Sequence, residues 1–169
     1  ELWEGPRLGV PESQKRYCIP CRPLTDLEAA LGTAIASAGA RKRILRGFSA
    51  ATEAMFGGSG KDQAARDKEL ATFLSEMRLL KDSTEIKALQ SAVEATKRGF
   101  EDVIARLKTA KSERELEGVF WTRARMEGND VGYTSIVASG AHACTLHWKK
   151  NDGSIRKGDL LLLDAGVEG

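Results

Sequence analysis

Cysteine is scarce in this chain: 169 residues hold Cys18, Cys21 and Cys144 and no others. An odd count in a chain this long argues against the cross-linked scaffolds of small secreted domains and for a reducing, cytoplasmic setting. Cys18 and Cys21 have CxxC spacing, but no second CxxC follows and no βαβ pattern frames the pair. Neither a zinc site nor a thioredoxin-type redox pair is expected there. Long apolar runs are also missing. None approaches the ~18 residues needed to cross a bilayer, so no membrane association is expected. Glu1-Leu2-Trp3-Glu4-Gly5-Pro6 lacks the basic-then-apolar pattern of a secretory signal. It also lacks an initiator Met, which reads as processing or as an excerpt of a longer chain.

An excess of charge of one sign is absent too. Lys and Arg number 26 against 24 Asp and Glu, a net charge of +2. Residues 1–80 carry 12 basic and 10 acidic groups, and residues 81–169 carry 14 of each. Neither half offers the basic surface that nucleic acid requires, so no nucleic-acid partner is expected. The run Arg41-Lys42-Arg43 reads as a solvated loop before a strand. What remains is an ordinary soluble composition, 41% hydrophobic and 30% charged. A chain of this length buries roughly 70% of its unfolded surface.

Proline is confined to Pro6, Pro11, Pro20 and Pro23, so the opening stretch reads as short strand, turns and loops. Leu24 to Ala38 is rich in Ala and Leu and predicts a helix. Lys42 to Arg46 predicts a short strand, and the alternation suggests an α/β unit. Phe56 to Asp62 superficially resembles a phosphate-binding loop. Met55 stands where the first Gly belongs and Asp62 where Ser or Thr should bind magnesium, so a plain loop is expected. A helix is predicted from Gln63 to about Met77, interrupted over Arg78 to Lys81.

Asp82-Ser83-Thr84-Glu85 is a capping-box signal for a new helix. Ile86, Leu89, Val93, Phe100, Val103, Ile104 and Leu107 recur at spacings that predict its buried face, and Gly99 interrupts it only mildly. Ser112 to Glu115 is a second box. It opens a helix whose stripe is Leu116, Val119, Phe120 and Ala124, closed by Gly128-Asn129. Beyond Asp130, strands are expected over Tyr133 to Ala138 and Thr145 to Trp148, with turns at Asn151-Asp152-Gly153 and Lys157-Gly158-Asp159. Leu160 to Leu163 is apolar on both faces, as a central strand would be.

That strand delivers Asp164, a rigidly held carboxylate suited to a hard divalent cation, or else a cap for the turn Asp164-Ala165-Gly166. His147 stands beside Trp148 and is either a proton shuttle or a structural histidine. His142, Cys144 and His147 lie close in sequence, but their spacing matches no zinc signature.

Three ordered stretches carry a family likeness. They are Met77-Arg78-Leu79-Leu80-Lys81 with Glu85-Ile86, then Ile136 to Gly140 with Thr145-Leu146-His147-Trp148, then Gly158 to Glu168. Together they resemble the Xaa-Pro aminopeptidase and prolidase family of metallopeptidases, which has the pita-bread fold. The likeness covers residues 77–169 well and residues 1–76 loosely.

The resemblance implies an α/β (α+β) fragment. Residues 1–78 would be the C-terminal part of a small creatinase-like N-terminal domain, and residues 79–169 the first half of the catalytic domain. It implies two divalent metal ions, manganese in most members, held by two Asp, one His and two Glu. Asp164 matches the first of these ligands, and the other four lie beyond Gly169. His147 matches the histidine that contacts substrate and helps move protons. His142 stands where members often carry Asn, and Trp148 where they often carry Tyr. The activity implied for the parent protein is removal of the first residue from peptides with proline second. The parent is expected to be cytoplasmic and a dimer or tetramer, and this chain alone inactive. Prolidase activity on Xaa-Pro dipeptides, and a non-peptidase or creatinase-like role, are the alternatives.

Overall fold

The described residues of the computed structural model, 5–58 and 60–169, leave Glu1 to Glu4 and Ser59 outside the account. The signal-peptide reading of the first residues and part of the loop at 56–62 therefore lie outside the described residues. The chain divides after Leu80 into two units, residues 1–80 and 81–169.

The first unit is helical. The opening stretch, expected as strand and loop, contains helix α1 (Val10–Tyr17) with a proline in its first turn. Proline is tolerated there because the first helical N–H groups have no intrahelical acceptor to lose. Cys18 ends the helix in the left-handed conformation, at φ 54°. A 3-10 turn, Leu24–Asp26, leads into α2 (Leu27–Ala38), as the Ala-rich composition predicts. A short helix that was not anticipated, α3 (Ala50–Phe56), starts where the Ser49 hydroxyl accepts the Thr52 N–H at 3.3 Å. Helix α4 spans Lys61–Leu79, and the expected break falls at Leu80 and Lys81.

Lys42 to Arg46 is not the expected strand. The Ile44 N–H donates to Asp67 Oδ1 at 3.0 Å instead of to a neighbouring strand. Asp67 also accepts from Arg46 Nε at 2.8 Å and Gln63 Nε2 at 2.7 Å. Burial alone would raise the Asp67 pKa, but these donors hold it below the ordinary carboxylate value. Among the described residues, the buried positions of this unit are the polar pair Gln63 and Asp67.

The second unit is built on a helical hairpin. Helix α5 (Ser83–Arg106) begins with the predicted capping box: Asp82 accepts from Thr84 N and Glu85 N, and Glu85 accepts from Asp82 N. Its buried face matches the expected one only in part. Val103 is buried and Phe100 packs on the core, but Ile86, Leu89, Val93 and Ile104 are exposed, and Ala95 and Gly99 are buried instead. The reason lies in helix α6 (Glu113–Glu127), whose Phe120 ring lies against the backbone of α5. A Cβ on Gly99 would stand 2.6 Å from the Phe120 ring, so the close approach selects the small-residue face. Phe100 meets Phe120 edge-on, with ring centroids 5.8 Å apart.

The Ser112 box forms only in half. Ser112 Oγ accepts from Glu115 N, but the Glu115 carboxylate takes Lys111 N and Arg106 Nε instead of returning to Ser112. The predicted stripe on α6 holds, with Leu116, Phe120 and Ala124 fully buried and Val119 packed against them.

Four short strands complete the unit: β1 (Asp130–Val131), β2 (Ile136–Ser139), β3 (Leu161–Asp164) and β4 (Val167–Glu168). They pair antiparallel as β1 with β4 and β2 with β3. The β2–β3 register sets Ile136 opposite Asp164 and Ser139 opposite Leu161. Two expectations fail here. Leu160 to Leu163 is not apolar-covered on both faces: Leu160 is 83% and Leu162 37% exposed, while Leu161 and Leu163 pack on the core. β3 has one helical layer behind it, so alternate residues face solvent. Thr145 to Trp148 is not a strand either; a 3-10 turn, Gly140–Cys144, runs into a further turn.

Candidate functional site

Asp164 ends β3, and the residues after it are fixed by the chain around them. Gly132 N–H donates to Gly166 O at 2.8 Å, and Val167 N–H to Thr96 Oγ1 at 3.0 Å. The Asp164 side chain is exposed, and its Oδ1 accepts a hydrogen bond from the Tyr133 hydroxyl. That bond, together with burial and the nearby negative charge, pushes the Tyr133 pKa up to about 12. The phenol is thereby kept protonated and the carboxylate oriented.

His147 lies on the turn that follows Gly140–Cys144, with its side chain exposed. The segment that carries it is not held by a sheet. It is wrapped around one carboxylate, that of Glu113, the first residue of α6. Glu113 is fully buried. Its Oε1 accepts from Ser139 N at 2.7 Å and from His142 Nδ1 at 2.9 Å. Its Oε2 accepts from Trp148 Nε1 at 2.9 Å and Gly153 N at 2.8 Å. A carboxylate offers only acceptors, so His142 Nδ1 carries the hydrogen. Burial by itself would raise the Glu113 pKa, yet the donors from Ser139, His142, Trp148 and Gly153 hold it below the ordinary value.

The rings of His142 and Trp148 stack with centroids 3.9 Å apart. A second anchor is Asn151, buried and left-handed at φ 47°. It donates from Nδ2 to Ser135 O at 3.0 Å and accepts Val137 N at 2.9 Å, so it serves as a hydrogen-bonding neighbour to the start of β2.

Among the described residues no hydrogen bond or ion pair joins His147 to Asp164, and no group of three or more His, Cys, Asp or Glu side chains forms a metal cluster. His142, Cys144 and His147 do not assemble one. Asp164 is a hard oxygen donor of the type divalent cations take, and the chain offers it as a single ligand.

Glu113, Tyr133 and Asn151 escaped the sequence reading. Glu113 was legible: 113, 116, 120 and 124 share one helical face with the buried stripe. Asn151 was visible only as a turn residue, and Tyr133 as part of a strand.

The sequence pattern of metallopeptidase family M24 matches residues 87–169. The chain carries an M24 domain. Over 99% of its length it is 53% identical to Xaa-Pro aminopeptidase 1 of Streptomyces coelicolor, of which it covers 33%. It is 48% identical to Xaa-Pro aminopeptidase 2 of the same organism, of which it covers 35%. Among solved structures it resembles the Pseudomonas aeruginosa aminopeptidase PepP with a TM-score of 0.77 and 27% identity, covering 99% of this chain and 40% of that one. The chain thus spans about a third of the length of these curated relatives. Its mixed architecture of helices and small sheets is that of the corresponding part of the aminopeptidase P fold. The M24 domain includes both Glu113 and the segment it holds, together with β3 and Asp164.

Proposed function

We propose that the protein to which this chain belongs is a metal-dependent Xaa-Pro aminopeptidase, releasing the first residue of peptides whose second residue is proline. The observation that carries this reading is 53% identity to Xaa-Pro aminopeptidase 1, sustained over 99% of the chain. In this reading residues 1–78 are the end of a creatinase-like N-terminal domain. Residues 79–169 are the first half of a pita-bread catalytic domain, completed by segments outside this chain. The open apolar faces of α5 and β3 suit such completion.

Asp164 is read as one ligand of a two-ion site, most simply manganese, with the remaining ligands outside this chain. Divalent ions supply charge neutralisation and Lewis acidity at the scissile carbonyl when bound. Tyr133 holds the Asp164 carboxylate in one orientation. His147 hydrogen-bonds the substrate from its exposed turn and exchanges protons at the scissile bond. The prolyl nitrogen, like any amide nitrogen, must gain a proton to leave as an amine. With one metal ligand, residues 1–169 alone are inactive. The parent is read as cytoplasmic, in keeping with three free thiols, and as a homo-oligomer on the family likeness alone.

The test is a peptide panel given to the full-length protein with manganese: a tripeptide with proline second, its alanine counterpart, and the Xaa-Pro dipeptide. Cleavage of the proline tripeptide in preference to the other two supports the proposal. Cleavage of the dipeptide alone identifies a prolidase, and no cleavage a non-peptidase member of the fold.

A further inference from the structure

We infer that Glu113 is a positioning residue for His147: its buried carboxylate sets where the substrate-contacting histidine stands. The inference rests on the reading of His147 given above and extends it to a residue on a different element. Four features of the molecule carry it.

The first is the distribution of the donors. Ser139 and Gly153 sit at the two ends of the segment that holds His147, and both give their backbone N–H to Glu113. His142 and Trp148 lie within it and give ring N–H groups to the same carboxylate. One side chain therefore closes the segment at its ends and pins it at two interior points.

The second is adjacency. Trp148 follows His147 directly, and its indole is fixed from two directions, by Glu113 at Nε1 and by the His142 ring stacked at 3.9 Å. The turn is tightened further by Lys149 N donating to His147 O at 2.9 Å. The His147 side chain is exposed and, among the described residues, has no hydrogen-bond or ion-pair partner, so its position is inherited from its neighbour.

The third is the lack of spare room. A Cβ at Gly153 would lie 2.6 Å from His142 Nδ1 and 2.7 Å from Glu113 Oε1. The hub is packed to the point that a methyl group cannot enter without displacing it.

The fourth is chemical. A buried carboxylate that accepts four N–H groups is satisfied as an anion, whereas an amide in its place is not. In Glu113→Gln, whichever way the amide turns, its NH2 faces at least one fixed N–H donor, Ser139 N on one side or Trp148 Nε1 and Gly153 N on the other. The expected result is not a simple loss of one bond but displacement of one side of the hub.

The test uses the full-length protein and four variants: His147→Ala, Glu113→Gln, the double variant, and Trp148→Phe. Trp148→Phe keeps an aromatic ring against His142 and removes the indole donor, along with part of the ring surface beside Lys150, so it reports even if Glu113→Gln fails to fold. Activity is read as kcat and KM on a proline-second tripeptide. The ring stack is read by near-UV circular dichroism.

The inference predicts that Glu113→Gln lowers kcat/KM about 100-fold, the order expected for a misplacement near 1 Å. Trp148→Phe gives a smaller fall, on the order of 10-fold, the lower end for outer-shell partners. Both effects shrink to less than about 3-fold in the His147→Ala background, because residues acting as one unit are non-additive. The near-UV band weakens in Glu113→Gln and persists in His147→Ala. Equal losses with and without His147 would overturn the inference, since they mark a structural role alone. So would unchanged kcat/KM in both Glu113→Gln and Trp148→Phe while His147→Ala is impaired. If His147→Ala itself is fully active, it is the substrate-contact reading of His147 that fails, and the inference falls with it.

Discussion

Glu113 and Gly153, 40 positions apart, exchange two hydrogen bonds: Glu113 N donates to Gly153 O at 2.9 Å, and Gly153 N donates to Glu113 Oε2 at 2.8 Å. The start of α6 is thereby latched to the end of the segment that presents His147. A helix N-terminus has N–H groups in search of acceptors, and the loop has N–H groups in search of the same. One glutamate and one glycine carbonyl meet both needs.

The latch makes Gly153→Ala informative. The added methyl meets His142 Nδ1 and Glu113 Oε1 at contacts under 3.0 Å. Overpacking of this kind costs about 1–3 kcal/mol. Gly118 on α6 has nothing within 4 Å of its Cβ direction. Gly118→Ala should therefore stabilise by up to about 1 kcal/mol through helix propensity. Thermal unfolding of the two variants should shift in opposite directions.

The core makes a second contrast. Phe120 is fully buried between the two helices, while its neighbour Trp121 is 50% exposed. Phe120→Ala should lose about 3–5 kcal/mol by the cavity it leaves. Trp121→Ala should stay within about 0.5 kcal/mol, as for surface positions generally. Denaturant titration measures both, and comparable losses would contradict the packing described.

Acid should weaken the M24 domain in a defined direction. The Glu113 pKa is lowered in the folded protein because its four donors outweigh the effect of burial. A carboxyl with a depressed folded value stabilises fully above its unfolded value, about 4.3. That stabilisation is lost as pH falls through the folded value. Melting temperatures followed downward from about pH 6 should drop below about pH 4.3. The drop should be shallower in Glu113→Gln, which has no proton to take up. An equal slope in both proteins would show that folding leaves the Glu113 carboxyl unshifted.

Much of this was readable in advance, and the exceptions share a cause. Caps and turns were legible because their signals are local: Asp82 with Glu85, Ser112, and Gly128 after α6. The helix stripe Leu116, Phe120 and Ala124 was legible because its period is strict. The face of α5 is legible in part, at Val103 and Phe100, but contact with Phe120 decides for Gly99 over Ile86 and Val93. Thr145 to Trp148 has the composition of a strand, yet its backbone turns, with Thr145 N donating to His142 O, and Glu113 holds it through the Trp148 indole rather than through a sheet ladder. Lys42 to Arg46 departs because Asp67 takes the Ile44 backbone N–H itself. Asp164 and His147 stand out as candidates from their own surroundings in the sequence and gain roles from the family likeness, and the structure adds Tyr133 against the first and the Glu113 hub around the segment of the second.

The account turns on Asp164 and on proline-second peptides. The most direct measurement is release of the first residue from such a tripeptide by the full-length protein and by Asp164→Ala, each with manganese and with chelator. The account predicts release by the unaltered protein with manganese, none with chelator, and a loss on the order of 100-fold in Asp164→Ala with manganese present, on the scale of a lost metal-site interaction. Release that survives chelation, or an Asp164→Ala protein as active as its parent, would contradict it.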